Sequence, residues 1–455
     1  MSNASWKQRT YTTIFILLVT TAVPFLIRHA FAAQDGPPTT LVPPPWKHTL
    51  GLNRVKQTHL GFYSGYKKKF SDPTGIAAVK LVFNDKSGTG DDDELTVYGV
   101  NSGTGEIFYN KSMTSLGFFG KPGSGAGEFK DAAGVAADAA GNVIVADKGN
   151  DRVVFLRNRD NRVLPVKGID LSSTGTALRS PSGVCIEDGS VYIADTGNDR
   201  IVVTDLFGNL VREFTGNVRA PFAVAAISGS DWNHYGSSFV VVTDSLHQRL
   251  TQFDLEGEPL RTWEFREVSG NDGGFFYVAV DYYSNVYVTD TIGGCIYKFD
   301  RHLRYITRFG CGTGTGEDLI EPRGIAIYRR FGQVFVAEKA GASYFWVGTD
   351  VRNIVVTWRP QQGYLELMVK YLLTEHSDVT VSLQTESGKV AKIFEKERFT
   401  ESGRVTRRFK LYEYELPCPV ESCDYVLVVT ARPTYSSVNY HTTERRARIR
   451  RMHGR

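Results

Sequence analysis

One phrase occurs twice in this chain in nearly the same words. VADKGNDRV at residues 145–153 returns as IADTGNDRI at 193–201. Each copy is a β-branched run, a Gly/Asn/Asp turn and the start of a second run, which together signal strand–turn–strand. So short a unit cannot bury a face alone, so its period constrains the fold before anything else does. The acidic residue closing the first run recurs as Asp147, Asp195, Asp244, Asp290 and Glu338, at intervals of 48, 49, 46 and 48 residues. Asn101, 46 residues before Asp147, holds the same place in TVYGVNSGTGEIF. An opening phrase recurs in step: PTGIA at Pro73, AAGVA at Ala132, PSGVC at Pro181, PFAVA at Pro221 and PRGIA at Pro322. FYVAVD at Phe276 keeps the place without a proline.

Six units result, two of them lengthened by SGTGDDD (87–93) and SGSDWNHYGSS (228–238). A period in the high forties with four short strands is that of a propeller blade. The apolar spacing is that of strands, which excludes helical and leucine-rich repeats. The chain resembles the NHL-repeat β-propellers. The resemblance rests on FFGKPGSGAGEF from Phe118 with the GVAAD and GNVIVADKGNDRVVF that follow. SPSGV and VYIADTGNDRIVVTD between Ser180 and Asp205, and FGCGTGTGEDLIEPRGIAI from Phe309, extend it. It covers roughly residues 60–348, with SLHQRL and TIGGCI standing in place of GNDR in two units. It implies a closed six-bladed disc but little chemistry, since such discs serve as lyases, hydrolases, RNA-binding and protein-binding modules.

The expected fold is all-β: a six-bladed NHL-like propeller over residues 60–350, then a small β-sandwich over 351–443. Residues 1–33 read as an export signal, with Lys7 and Arg9 before the apolar 14–27 and Ala30-Phe31-Ala32 as a cleavage pattern. An uncleaved membrane anchor is the alternative, and either places the body outside the cytosol. Residues 34–59 read as a proline-rich linker, with QDGPPTTLVPPP an extended spacer. A propeller ring must be closed, and LGFYSGYKKKF (Leu60 to Phe70) is assigned as the outer strand of blade six, with 351–358 as the alternative donor. Beyond blade six the period stops. NIVVTW, GYLELMVKYLL, SDVTVSLQT and the runs after them alternate apolar and polar residues, as in a sandwich.

The formal net charge of +4 is uneven: residues 1–33 carry +3 and 444–455 carry +5, leaving −4 between them. A mildly acidic body disfavours a nucleic-acid partner. The tail ERRARIRRMHGR reads as disordered, a contact for an anionic surface or a multibasic cleavage site. Of five cysteines, Cys418 and Cys423 are the disulfide candidate. Cys295 and Cys311 could pair across a hairpin, and Cys185 reads as a small buried hydrophobe.

Candidate chemistry is sparse. A zinc lyase site of the kind the family includes needs about three converging imidazoles. His234, His247 and His302 are its weak candidates. Asp91, Asp92 and Asp93 are weak candidates for calcium but lack the spacing of an EF-hand loop. No GxSxG, P-loop or HExxH is present. The repeated turns carrying Asp147 and Arg152, Asp195 and Arg200, and Asp244 and Arg249 read first as hairpin clamps and secondly as a polar recognition surface. Trp232 and Tyr235 in the 228–238 insertion are expected to be exposed anchors for a partner.

The sequence therefore points to a secreted, periplasmic or cell-surface protein. It binds a protein or glycan without catalysis and without a cofactor, calcium being the one ion left open. The alternative is a metal-dependent lyase or hydrolase, amidating-lyase-like or lactonase-like, with its site in the central channel.

Overall fold

The computed structural model describes residues 30–31, 39–45, 52–84, 95–112, 114–166, 177–229, 232–244, 248–269, 273–311, 318–419 and 422–449. The described residues open with three short strands, β1 (Ala30–Phe31), β2 (Leu41–Val42) and β3 (Arg54–Lys56), and helix α1 (Gln57–Ser64). Six antiparallel sheets follow. The first comprises β4 (Pro73–Lys80), β5 (Leu95–Asn101), β6 (Glu106–Ser112) and β7 (Ser115–Phe119), and the second β8 (Ala132–Ala137), β9 (Asn142–Asp147), β10 (Arg152–Arg159) and β11 (Arg162–Pro165). The third comprises β12 (Val184–Glu187), β13 (Ser190–Asp195), β14 (Arg200–Asp205) and β15 (Leu210–Phe214). The fourth comprises β16 (Pro221–Ile227), β17 (Phe239–Asp244), β18 (Arg249–Phe253) and β19 (Pro259–Glu264), with α2 (Phe265–Ser269) after it. The fifth holds β20 (Val278–Val280), β21 (Val286–Asp290), β22 (Cys295–Phe299) and β23 (Tyr305–Phe309), and the sixth β24 (Ile325–Tyr328), β25 (Gln333–Glu338) and β26 (Gly341–Val347).

The innermost strands neighbour one another in sequence, β4 to β8, β12, β16, β20 and β24, and β24 returns to β4. This is a closed propeller. The glycine of the opening phrase sets how closely the sheets approach at the axis. A Cβ at Gly75 would stand 2.6 Å from the Ala133 carbonyl oxygen, and Gly134, Gly183 and Gly324 meet the next sheet's backbone as closely. Second strands are buried on both faces, which is why they read as unbroken apolar runs. In β9, Val143 and Val145 join the cluster with the first sheet while Ile144 and Ala146 join the cluster with the third. Val143, Ile144 and Val145 each contribute about 1.5–3 kcal/mol by burial.

The periodic marker has one role in all six sheets. Its side chain accepts a hydrogen bond from the backbone N–H two residues before the opening phrase. Asn101 takes Ser71 (2.8 Å), Asp147 takes Lys130 (2.8 Å) and Asp195 takes Arg179 (2.7 Å). Asp244 takes Arg219 (3.2 Å), Asp290 takes Gly274 (3.4 Å) and Glu338 takes Ile320 (2.7 Å). The loop entering each sheet is thereby pinned to the end of that sheet's second strand.

The ring is closed by N-terminal residues, but not by those assigned from sequence. β2 and β3 pair with β26, so part of the segment read as linker and spacer lies in the sixth sheet. HLGFYS is instead helical in α1, which ends at Gly65 in the left-handed conformation (φ 62°). Residues 351–358 do not donate to the sixth sheet either. They lie in β27 (Val351–Gln361), which pairs with β28 (Tyr364–Leu373).

The remaining strands are β29 (Ser377–Thr385), β30 (Val390–Thr400), β31 (Gly403–Leu411), β32 (Tyr425–Pro433) and β33 (Thr443–Ile449). They form two antiparallel sheets, β1-β27-β28-β31 and β30-β29-β32-β33, which share one buried apolar cluster. The expected disordered tail is corrected in part. Residues 444–449 lie in an edge strand whose Thr443, Arg445, Ala447 and Ile449 are buried and whose Glu444, Arg446 and Arg448 are exposed. Arg445 is tolerated there because it pairs with the buried Asp350 carboxylate at 2.9 Å. Residues 450–455 and residues 1–29 of the stretch read as an export signal lie outside the described residues, while the backbone of Ala30–Phe31 pairs with β27.

Cys418–Cys423 and Cys295–Cys311 are both disulfides. Cys185 carries the free thiol, half-buried against the cluster between the third and fourth sheets. Asp195 is fully buried and paired with Arg200. Asp195→Ala is expected to cost about 1–3 kcal/mol, the penalty for leaving the donors that Asp195 accepts from without an acceptor. Asp195→Asn keeps an acceptor for the Arg179 N–H, as Asn101 does for Ser71, and should cost less. Urea unfolding measures both, and equal losses would contradict the clamp.

Candidate functional site

The turn residues proposed from sequence are occupied as clamps. Arg152 reaches Asp147 (2.8 Å) and the carbonyls of Ser124 (2.8 Å), Gly125 (3.1 Å) and Glu128 (2.9 Å). Arg200 reaches Asp195 (2.8 Å), Glu213 (2.9 Å) and the Ala177 carbonyl (2.9 Å), and Arg249 reaches Asp244 (3.0 Å). Trp232 is exposed, with the Arg330 guanidinium 4.9 Å from its ring centre. His247 and Asp91–Asp93 lie outside the described residues. Among the described residues no three His, Cys, Asp or Glu side chains converge to hold a metal, so His234 and His302 gain no partners for one.

The central channel is bridged at both mouths. Where the inner strands begin, Tyr277 of the fifth sheet reaches the Thr74 hydroxyl of the first, and Phe222 packs edge-on to Tyr277 at 5.0 Å. Arg323 pairs there with Asp72, joining the sixth sheet to the first. Where the inner strands end, Arg329 of the sixth sheet crosses to Glu187 of the third, the sheet opposite (3.0 Å). Its other nitrogens donate to the carbonyls of Ala226 (2.7 Å) in the fourth sheet and Val280 (3.4 Å) in the fifth.

The densest chemistry lies where the fifth sheet meets the C-terminal sheets. Lys298 and Glu375 are fully buried and form an ion pair. Lys298 also donates to the Thr374 carbonyl (2.8 Å), and the Tyr287 hydroxyl donates to Glu375 (3.0 Å). Asp281, also fully buried, accepts from the backbone N–H groups of Tyr283 (2.9 Å) and Asn285 (2.8 Å) and from the Asn285 amide (2.9 Å). Burial and the neighbouring Glu375 push the Asp281 carboxyl up to about 6. Burial alone would raise Glu375 too, but Lys298 and His376 outweigh it and hold Glu375 well below the usual carboxylate range.

His376 sits beside this pair. Tyr283 stacks on its ring at 4.2 Å, and the Tyr235 hydroxyl meets its Nε2 at 3.0 Å. Tyr235 is therefore not the exposed anchor expected from sequence. It is half-buried in the junction, with Arg301 over its ring at 3.9 Å. His234 packs edge-on to Tyr235 (4.7 Å), and burial with the nearby His376 lowers its pKa. Glu375, His376 and Ser402 have the residue types of a nucleophilic triad but not its geometry. Glu375 (3.2 Å) and Ser402 (3.3 Å) both meet Nδ1, and Tyr235 occupies Nε2.

Tyr235 also forms one wall of a cleft of about 690 Å³ at the edge of the fourth and fifth sheets. Arg261, Arg301 and His302 line it with Ser237, Ser238 and Gln252; no carboxylate is among its lining residues, but Glu401 pairs with Arg301 beside it (3.4 Å). Sequence reasoning missed Lys298, Glu375, His376, Arg261 and Arg301. Lys298 alone carried a signal, as a charge in an otherwise apolar strand, CIYKF.

Residues 178–209, which take in the first three strands of the third sheet, match the family described as NHL repeat. The chain carries an NHL repeat. No curated protein matches it significantly. Solved structures with a related arrangement include a streptogramin B lyase, with TM-score 0.40 and 15% identity over 61% of this chain and 94% of that one. Virginiamycin B lyase from Staphylococcus aureus gives TM-score 0.40 and 11% identity, over 70% of this chain and 94% of that one. The calcium-binding protein regucalcin from Agrobacterium tumefaciens gives TM-score 0.42 and 12% identity, over 62% and 92%. Likeness at this level says nothing about the chemistry of this chain.

Glu375→Gln leaves the Lys298 ammonium buried without its counter-charge and should cost about 3–5 kcal/mol, while Lys298→Met with Glu375→Gln should recover most of that loss. Urea unfolding of the single and double variants tests this, and a double variant no better than the single would contradict it. Asp281 holds its proton more tightly folded than unfolded. Its contribution is therefore present at low pH and lost as pH rises from the ordinary 3.8 through about 6. The stability advantage of wild type over Asp281→Asn should shrink across that window. A flat difference in unfolding midpoint would contradict it.

Proposed function

We propose that this chain is an exported, non-catalytic binding protein whose recognition site is the cleft beside Tyr235. The observation that carries the reading is the cleft's composition: Arg261, Arg301 and His302 with hydroxyl and amide neighbours, the one adjoining carboxylate being Glu401, which pairs with Arg301 from outside the lining. Such a lining matches carboxylate or sulfate groups on an acidic glycan, and guanidinium forks pair with both. Two disulfides support an oxidising compartment, in keeping with the export signal read at the N-terminus. Among the described residues no helix is long and apolar enough to cross a membrane.

The metal-dependent lyase or hydrolase reading has less support. Thr74, Ala133, Ser182, Phe222, Tyr277 and Arg323 hold the second place of the six opening phrases around the axis, and none is a carboxylate, thiol or imidazole. Glu187, an acid at the other mouth, is engaged by Arg329. Surface contact through Arg446 and Arg448 of β33 would add a second anionic attachment, weakened by salt.

Titration of the full chain with polygalacturonate and with heparin, followed calorimetrically, tests the site. Binding is expected to weaken with added salt and to fall about tenfold or more in Arg261→Glu. Unchanged affinity in that variant would contradict the assignment, and capture of a protein but neither polymer would redirect it to an acidic protein partner.

A further inference from the structure

The spaces between successive sheets are filled alike, with one exception. Buried apolar clusters lie between the first and second sheets, the second and third, and the third and fourth, and one larger cluster runs through the fourth, fifth and sixth. Between the sixth sheet and the first there is instead a cavity of about 300 Å³. Its origin can be read in a single position. Two residues before each marker, the second strand carries a branched apolar side chain facing the preceding sheet. Val145, Ile193, Val242, Val288 and Val336 occupy this place, each no more than 2% exposed. In the first sheet the residue is Gly99, and a Cβ built there would meet nothing within 4 Å. Its backbone is not in the left-handed region, so no turn or strain calls for glycine.

We propose that this space is a binding cavity for a small, neutral, largely apolar molecule of one or two rings. The walls are rings and branched chains: Val97 and Phe108 from the first sheet, and Phe335 stacked on Tyr344 (4.7 Å) from the sixth. Leu60 and Tyr63 of α1 close one side, so the segment that completes the ring also covers the cavity. The polar side chains that line it are amides and hydroxyls, and no lining residue is charged, so an ionic ligand would find no counter-charge. The volume lies at the lower end of small-molecule sites, about 300–1,000 Å³, which sets the ligand at one or two rings with a hydroxyl or carbonyl for the amides. A void left by accident in a packed core carries a penalty that grows with its volume, and a single Gly99→Val change would remove part of it. This cavity is separate from the basic cleft, so either reading can fail without the other.

The neutral fluorophore N-phenyl-1-naphthylamine, titrated into the full chain, tests the proposal. Wild type is expected to show saturable fluorescence enhancement at one site per chain. Gly99→Val should weaken it several-fold and raise the thermal midpoint, and Gly99→Phe should weaken it by about tenfold or more with an unchanged far-ultraviolet spectrum. No saturable binding to wild type would overturn the proposal. So would Gly99→Val binding as tightly as wild type, a result that stands even if Gly99→Phe does not fold.

Discussion

The structure depends on a side-chain acceptor at the end of each second strand, which takes the N–H of the loop entering the same sheet. A hydrogen bond of this kind contributes about 0.5–1.5 kcal/mol net, more where a charged carboxylate accepts, and here it recurs six times around one ring. The clamp fixes where the inner strand begins, and the opening-phrase glycines then let those strands approach within backbone contact. Asn101 and Glu338 do the work that aspartate does elsewhere, so the shared requirement is an acceptor rather than a charge. In the second, third and fourth sheets the same aspartate also anchors an arginine that folds over the loop. Structural demand thus accounts for the repeated motif.

With the sheets so placed, the axis is narrow enough for single side chains to span it. Arg329 satisfies one carboxylate and two carbonyls from three other sheets, and Tyr277 reaches from the fifth sheet to the first. That moves the candidate chemistry outward, to the basic cleft and to the gap left by Gly99. The C-terminal sheets are tied on by the Lys298–Glu375 pair, whose two charges are stable in the interior only together.

The propeller was legible because Asp147 and Asp195 sit in near-identical phrases, and the degenerate units kept the marker after losing the turn. Ring closure was not, because β2 and β3 are two and three residues long and exist by pairing with β26. A strand with only two residues has no period to read. The terminal strand did have one, since Thr443, Arg445, Ala447 and Ile449 alternate with charged neighbours. Its arginines concealed it until Asp350 supplied a partner for Arg445. The junction was hidden for a similar reason. TEHSD reads as a solvated turn, and only packing against the fifth sheet buries Glu375 and His376. Tyr235, expected on the surface, is drawn into that contact. Gly99 was visible as a departure from the repeat, yet a missing side chain acquires meaning only when its neighbours are known.

Native-state hydrogen exchange at six amides tests the account most directly. The N–H groups of Ser71, Lys130, Arg179, Arg219, Gly274 and Ile320 sit in loops, where exchange is ordinarily fast. If the clamps hold the propeller, these amides are protected to the level of the second strands, such as Ala146 and Ala194, while their loop neighbours exchange freely. Exchange of all six at the rate of the surrounding loops would contradict it.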